Sequence, residues 1–309
     1  MGTTRDWRGR KVLITGATGF IGRHLVEQGL HTGATVITNS RSPAQMCNAS
    51  AHIVMDLGNR AEVLRVIREL EPAAIMHAAS AGVSEKVELV DLLRTNVIGT
   101  DNLLAAADSL PERPTVVIAG SGYEYAAQSR PLTEDDPVFP TSPYGISKAA
   151  AAFCAAIYAK RMPVTVLRIF NVYGPGERLP RLLPYIVENA KLGNVAELTA
   201  CEQVRDFVYV RDLASLFWRA LECSPEDHRL RVLNVGSGDA APLKDFVRIL
   251  CQILQETGLN PHLDLGTRDY RSDEPMYYAA NAGRMIATLG NVVKTPLNVG
   301  LRETVEAML

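Results

Sequence analysis

The chain has 309 residues, 47% of them hydrophobic and 21% charged, with a formal net charge of -2 at pH 7. This composition builds a full globular core and excludes a disordered chain, and the near-neutral charge excludes the basic footprint of a nucleic-acid binder. Five scattered cysteines with no Cys-x-x-Cys pair exclude a disulfide framework and suit a reducing cytoplasm. Residues 1–10 are polar, with no signal-peptide pattern. No apolar run reaches the ~18 residues of a membrane span, and no metal site is expected.

The first readable element is Lys11-Val12-Leu13-Ile14-Thr15, a short apolar run that predicts a buried strand. It runs into Gly16-Ala17-Thr18-Gly19-Phe20-Ile21-Gly22, and helical spacing starts at once with Ile21, Leu25, Val26 and Leu30. Strand, glycine turn and helix start together suit a dinucleotide pyrophosphate. The helix N-terminus offers unpaired N–H groups and a partial positive charge, and glycines let the backbone come close. Gly16, Thr18, Gly19, Phe20, Ile21 and Gly22 are the expected contacts.

Strand-like runs follow at 34–38, 51–55, 73–77 and 115–119, with helical patterns at 20–31, 59–69 and 85–109 between them. A helix over 143–161 leads into a strand over 164–168. Short apolar strands alternating with helices predict βαβ units and an α/β fold with a doubly wound parallel sheet. After about residue 175 the rhythm loosens into a helix near 181–192, strands at 195–199 and 206–210, a helix at 212–222, a strand at 230–235, a helix at 242–256 and a polar loop at 266–277. The expected organisation is a dinucleotide-binding domain over 1–174 and a smaller C-terminal α/β substrate lobe over 175–309, with 230–240 returning to the main sheet.

Side chains at the strand ends suggest the ligand. An NAD site usually carries an acidic residue after the second strand for the ribose 2′-hydroxyl. This chain has Asn39-Ser40-Arg41 instead. Arg41 suits a 2′-phosphate and Ser40 a hydrogen bond to it, which favours NADP over NAD; a solvated loop arginine is the other reading. Asp56-Leu57 suits the adenine, by its carboxylate and by packing, or a plain turn. His77 reads as a core histidine, and Ala78-Ala79-Ser80 after it as small residues that let the cofactor approach. Tyr144 and Lys148 stand one helical turn apart. An ammonium near a phenol lowers its pKa and lets it exchange a proton near neutral pH. Ser121, just past the fifth strand, lies at the sheet edge where such sites form.

With these residues the chain resembles the extended short-chain dehydrogenase/reductase family of nucleotide-sugar epimerases, dehydratases and reductases. The resemblance rests on the segment 15–22, His77-Ala78-Ala79, Asn96-Val97-Ile98-Gly99-Thr100, Ser121, Tyr144 with Lys148, Leu167 to Gly176, and Arg205-Asp206-Phe207-Val208-Tyr209-Val210. It implies a Rossmann sheet, with Asn96, Tyr144 and Lys148 at the cofactor and a Ser121–Tyr144–Lys148 site acting on a sugar carbon. It also implies that Asn171, Arg205, Arg271 and Glu274 meet the substrate's diphosphate and ribose, with Gly122 and Tyr123 lining the pocket. Without the resemblance, each arginine reads equally well as a surface salt bridge. The family's 4,6-dehydratases place an Asp-Glu pair where this chain has Gly122 and Tyr123; Glu124 comes one position late. Elimination therefore lacks its acid and base. The expected activity is NADPH-dependent reduction of a nucleoside-diphosphate 4-keto-6-deoxyhexose, with a 4-epimerase holding NAD as the alternative. A non-catalytic NADP-binding regulator is the reading from another class. The alanine-rich helix after Tyr144 suits a homodimer contact with the 85–109 helix.

Overall fold

The computed structural model describes residues 6–44, 49–82, 87–223, 225 and 230–309. In chain order its main elements are β1 (Lys11–Thr15), α1 (Phe20–Gly29), β2 (Thr35–Ser40), β3 (Ala51–Val54), α2 (Arg60–Leu70) and β4 (Ala74–His77). A long helix follows in three sections: α3 (Leu89–Leu92), a π-helical stretch (Leu93–Ile98) and α4 (Gly99–Asp108). Then come β5 (Thr115–Ser121), α5 (Pro143–Tyr158), β6 (Val164–Ile169), β7 (Asn171–Tyr173), α6 (Leu182–Leu192) and β8 (Val195–Leu198). β9 (Val204–Arg205), β10 (Phe207–Tyr209), α7 (Val210–Glu222), β11 (Arg231–Val235), β12 (Ala241–Pro242) and α8 (Leu243–Glu256) continue the chain. β13 (His262–Leu265), β14 (Tyr277–Tyr278), α9 (Gly283–Leu289) and α10 (Leu297–Glu306) complete it.

Seven strands form one parallel sheet in the order β11-β6-β5-β4-β1-β2-β3. The chain starts at β1, winds outward to β3, and crosses back to β4 on the other side. The carboxyl ends of β1 and β4 therefore flank the switch point where a doubly wound sheet takes its ligand. Side chains alternate between two cores, as strand pleating requires. Val12, Ile14, Val117 and Ala119 face one core with Leu25 and Val26 of α1 and Leu213 and Phe217 of α7. Leu13, Val116 and Ile118 face the other with Val63 and Ile67 of α2, Leu103 and Leu104 of α4, and Ala152 and Ala155 of α5. Burial on both faces is why these strands read as unbroken apolar runs. A third core joins α6, α8 and α10 through Ile186, Val187, Phe246, Leu250 and Leu301.

β5 runs to Ser121, past the predicted end at 119, because Gly120 and Ser121 still pair with Arg168 and Ile169 of β6. The strand expected at 206–210 is shorter, since α7 begins at Val210. The helix expected from 85 begins at Leu89, and residues 85 and 86 lie outside the described residues. β7, β9, β12, β13, β14, α9 and α10 have no counterpart in the sequence reading. Four of these five strands are two or three residues long, too short for a periodic signal. Asp206, fully buried between β9 and β10, fastens that turn to the segment after β11: its carboxylate accepts hydrogen bonds from the Ser237 N–H and hydroxyl, both at 2.6 Å.

Candidate active site

The glycine turn sits at the switch point with no room for side chains. Gly16 has φ +69°, and a Cβ there would lie 2.5 Å from the Ala79 nitrogen, while one on Gly22 would lie 2.1 Å from the Gly16 carbonyl oxygen. The end of β4 thus lies against the turn, and Ala78 and Ala79 are half-buried beside it. Gly19 caps α1 without any side-chain hydrogen bond, so the first N–H groups of the helix remain for an anion. Thr18 and Gly19 are exposed, and Phe20 and Ile21 half-buried. This cradle fits a dinucleotide pyrophosphate.

The end of β2 is more constrained than its sequence suggests. Asn39 is buried, and its amide nitrogen donates to the carbonyls of Ser40, Ile53 and Met55. The Ser40 hydroxyl donates to the Ser42 carbonyl at 2.5 Å and lies 2.9 Å from His52 Nε2. Neither residue has a donor left for a 2′-phosphate, which corrects the role expected of Ser40. Of Asn39, Ser40 and Arg41, Arg41 is the exposed one. Asp56 is exposed and accepts the Gly58 N–H at 2.9 Å, while Leu57 packs into the core beneath.

Asn96 occupies the π-helical stretch at 2% exposure. Its carbonyl accepts from the Ala81 N–H at 2.8 Å and the Ser80 hydroxyl at 3.0 Å. Its amide donates to the Ser147 hydroxyl at 2.9 Å, and that hydroxyl donates to the Tyr144 carbonyl. Asn96 therefore joins the loop after β4 to the start of α5, and it acts on the site by positioning those two elements. His77 is buried between the Thr15 and Thr100 hydroxyls at 2.7 and 2.9 Å. Burial pushes its pKa down to about 3, with Lys148 adding to the effect, so it stays neutral as a core histidine.

Ser121, Tyr144 and Lys148 converge at the carboxyl end of β5. The Ser121 oxygen caps the short turn 122–124 by accepting the Tyr123 N–H at 3.2 Å, which leaves its hydroxyl proton to donate. Ser142 caps α5 and Pro143 opens it, which places Tyr144 and Lys148 on its first turns. The Tyr144 phenol lies beside the hydroxyls of Ser80 and Ser121; burial pushes it up to about 12, and those two hydroxyls pull the other way. Lys148 is brought down to about 8 by burial, with the Glu124 charge opposing. The sequence reading expected the ammonium to lower the phenol. Here desolvation dominates both groups, and Tyr144 rises instead. Glu124 is fully buried, accepts the Ser121 N–H at 2.8 Å and pairs with Arg168 at 2.7 Å. Both of its carboxylate oxygens are thus engaged, one by the Ser121 N–H and the other by the Arg168 guanidinium.

On the lobe side, Arg205 and Arg271 do not stand as two independent forks. Glu274 pairs with both, with Arg205 through a close contact and with Arg271 at 2.9 Å. Asp273 also lies 4.0 Å from Arg271, and the Glu274 carboxylate expected at a ribose hydroxyl serves the arginines. Asn171 donates to the Asp206 carbonyl at 3.2 Å. Gly122 is buried and Tyr123 half-buried, with the Tyr123 ring edge-on to Tyr144 at 6.3 Å.

Residues 12–236 match the model of the NAD dependent epimerase/dehydratase family. The chain belongs to this family. It is 26% identical to the dTDP-glucose 4,6-dehydratase of Neisseria gonorrhoeae over 96% of this chain and 95% of the relative. It is also 26% identical to the GDP-6-deoxy-D-talose 4-dehydrogenase of Aggregatibacter actinomycetemcomitans, over 79% of this chain and 80% of the relative. The solved structure of MoeE5 in complex with UDP-glucuronic acid and NAD superposes with a TM-score of 0.84 at 30% identity, covering 96% of this chain and 98% of that one. Among the described residues no helix is long and apolar enough to cross a membrane.

The sequence reading missed Arg168, Phe170 and Tyr278. Arg168 and Phe170 lie within the quoted 167–176 segment, but nothing in one strand shows which partner a buried arginine has. Tyr278 enters through the pairing of β14 with β9, which sets it opposite Arg205.

Proposed function

We propose that this family member is a nucleotide-sugar ketoreductase that uses NADPH to reduce the 4-keto group of a nucleoside-diphosphate 4-keto-6-deoxyhexose. The observation that carries this reading is the convergence of Ser121 and Tyr144 beside a pyrophosphate cradle, with Glu124 locked to Arg168. The dinucleotide, when bound, supplies a hydride from C4 of its nicotinamide. Ser121 donates a hydrogen bond to the sugar carbonyl oxygen, and Tyr144 gives the same oxygen its proton. Lys148 meets the nicotinamide ribose and offsets the phenolate that remains. Arg205 and Arg271 take the substrate diphosphate, to which Asn171 contributes, with Gly122 and Tyr123 against the sugar. A relative named as a 4-dehydrogenase supports action at that carbon. The test is NADPH oxidation against GDP-, dTDP-, CDP- and UDP-linked 4-keto sugars; silence across the panel overturns the reading.

The 4-epimerase alternative keeps a tightly bound NAD, and the NAD bound by MoeE5 favours it. Arg41 separates the two. If it meets a 2′-phosphate, Arg41→Ala should lower kcat/KM for NADPH about tenfold, the size of one charge-assisted hydrogen bond, and leave NADH unchanged. Equal losses for both cofactors, or purified protein carrying stoichiometric NAD, would favour the epimerase.

The expected dimer also has a surface. On α5, Phe153 and Ile157 are 61% and 56% exposed, and Val90 on the neighbouring α3 is 69% exposed. Large apolar groups grouped on adjacent helices mark an association face, and a second copy of this chain is its occupant. Sedimentation should give about twice the 33.7 kDa chain mass, and Phe153→Glu should shift it to monomer. A wild-type monomer at micromolar concentration refutes this.

A further inference from the structure

His24, two residues past the glycine turn on α1, is a buried titratable group that the proposed reaction does not use. It is 5% exposed, and its Nε2 lies 2.8 Å from the Pro175 carbonyl oxygen. A carbonyl can only accept, so Nε2 carries the ring's hydrogen and donates it. Burial lowers the pKa of the ring, which keeps it neutral and leaves Nδ1 bare. Nδ1 stands 3.4 Å from Glu27 Oε2; with no hydrogen of its own it makes no hydrogen bond among the described residues. The ring is therefore fixed as a donor to Pro175. It also meets the Phe20 ring edge-on at 6.1 Å, and Phe20 is the first residue of α1, beside the pyrophosphate cradle.

Pro175 belongs to a turn that leads to the reacting groups. The Glu177 N–H donates to the Gly174 carbonyl at 3.2 Å and closes the turn. A Cβ on Gly176, at φ +85°, would lie 3.0 Å from Arg23 Nη1, so the turn rests on α1 at a second point. Glu177 is buried at 9% exposure, and its carboxylate holds Arg181 at 2.7 Å. Arg181 stands at the entry to α6. The Tyr144 phenol, raised by burial, is within reach of the Arg181 charge, which pulls it the other way. A line of contacts thus runs from Phe20 at the cradle through His24 and the turn to Glu177, Arg181 and Tyr144.

We propose that His24 is a positioning residue that fastens the turn 174–177 to the cofactor helix, so that a pyrophosphate seated on α1 also steadies Arg181 and the substrate side of the pocket. For its second ligand this rests on the nucleotide-sugar reading above, and no covalent bond to His24 is made or broken in the reaction. A ligand that steadies α1 lowers the ordering cost left for the other ligand, which couples the two sites. Calorimetric titration with free nucleoside diphosphate (UDP, dTDP, GDP or CDP) should show wild type binding at least about fivefold more tightly when saturated with oxidised cofactor, NADP or NAD. His24→Phe keeps a ring and loses the donor; it should bring that ratio to within about twofold of one, with little change in affinity when no cofactor is present. His24→Gln restores a donor and should restore the ratio. Gly176→Ala, which pushes a methyl group against Arg23, should also lower the ratio, and it serves as the test if His24→Phe fails to fold. A wild-type ratio near one, a ratio kept in His24→Phe, or a ratio lost equally in His24→Gln overturns the inference alone. Parallel loss of affinity with and without cofactor also overturns it, because it marks a structural role. A wild type that binds no nucleoside diphosphate overturns the functional reading. Amide hydrogen exchange at 176–182 then decides the inference by itself: it stands if cofactor slows exchange in wild type and not in His24→Phe, and falls otherwise.

Discussion

Tyr144→Phe is expected to lower kcat by about 10²–10⁴-fold, the usual contribution of a positioned proton donor. The change removes one oxygen from a ring whose surroundings are otherwise set by α5 and Tyr123. Fluorescence titration should show NADPH affinity within a few-fold of wild type, since the pyrophosphate cradle is built by Gly16 and Gly22. The pH dependence has a defined sign. Burial holds the phenol at about 12, so Tyr144 stays protonated, and reduction should lose nothing to tyrosine ionisation up to about pH 10, the ordinary tyrosine value. The reverse reaction needs the phenolate as base and should rise with pH through that range. A kcat within about threefold of wild type would remove Tyr144 from the role of proton donor.

The second large effect concerns stability. Arg168→Met leaves Glu124 fully buried without its ion-pair partner. Breaking one side of a buried pair costs about 3–5 kcal/mol, and the Arg168 guanidinium also lies 4.4 Å from the Tyr125 ring centre. Urea denaturation should show a loss of that size. The double change Arg168→Met with Glu124→Leu should recover part of it, because no charge is then stranded, though the Ser121 N–H loses its acceptor. A single-variant loss below about 1 kcal/mol would mean that water or a rearrangement satisfies Glu124.

Local chemistry made much of this protein legible from its residues in order. Unbroken apolar runs mark strands buried on both faces, and the β1 turn reads correctly because glycine, and little else, fits where backbone meets backbone at Gly16 and Gly22. The Tyr144–Lys148 spacing is a property of a single helix, so it too was available from sequence. Ionisation was not: the spacing suggests a lowered phenol, whereas the burial supplied by the surrounding fold raises it. Ser40 reads as free for a phosphate because His52, which lies against its hydroxyl, comes from β3, and the carbonyls that hold Asn39 come from β3 and the residue after it.

The sequence by itself therefore determined the α/β class and the glycine turn after β1, because each is written in runs of neighbouring residues. Tertiary structure alone decided that Glu124 serves Arg168, that Glu274 ties Arg205 to Arg271, and that Tyr278 enters the pocket beside Gly122. The Glu124–Arg168 and Glu274–Arg205 contacts join residues 44 and 69 apart, and Tyr278 meets Gly122 from a separate strand; only Arg271 and Glu274 are near neighbours. No local pattern encodes such distances, since a side chain's partner is set by strand order and register.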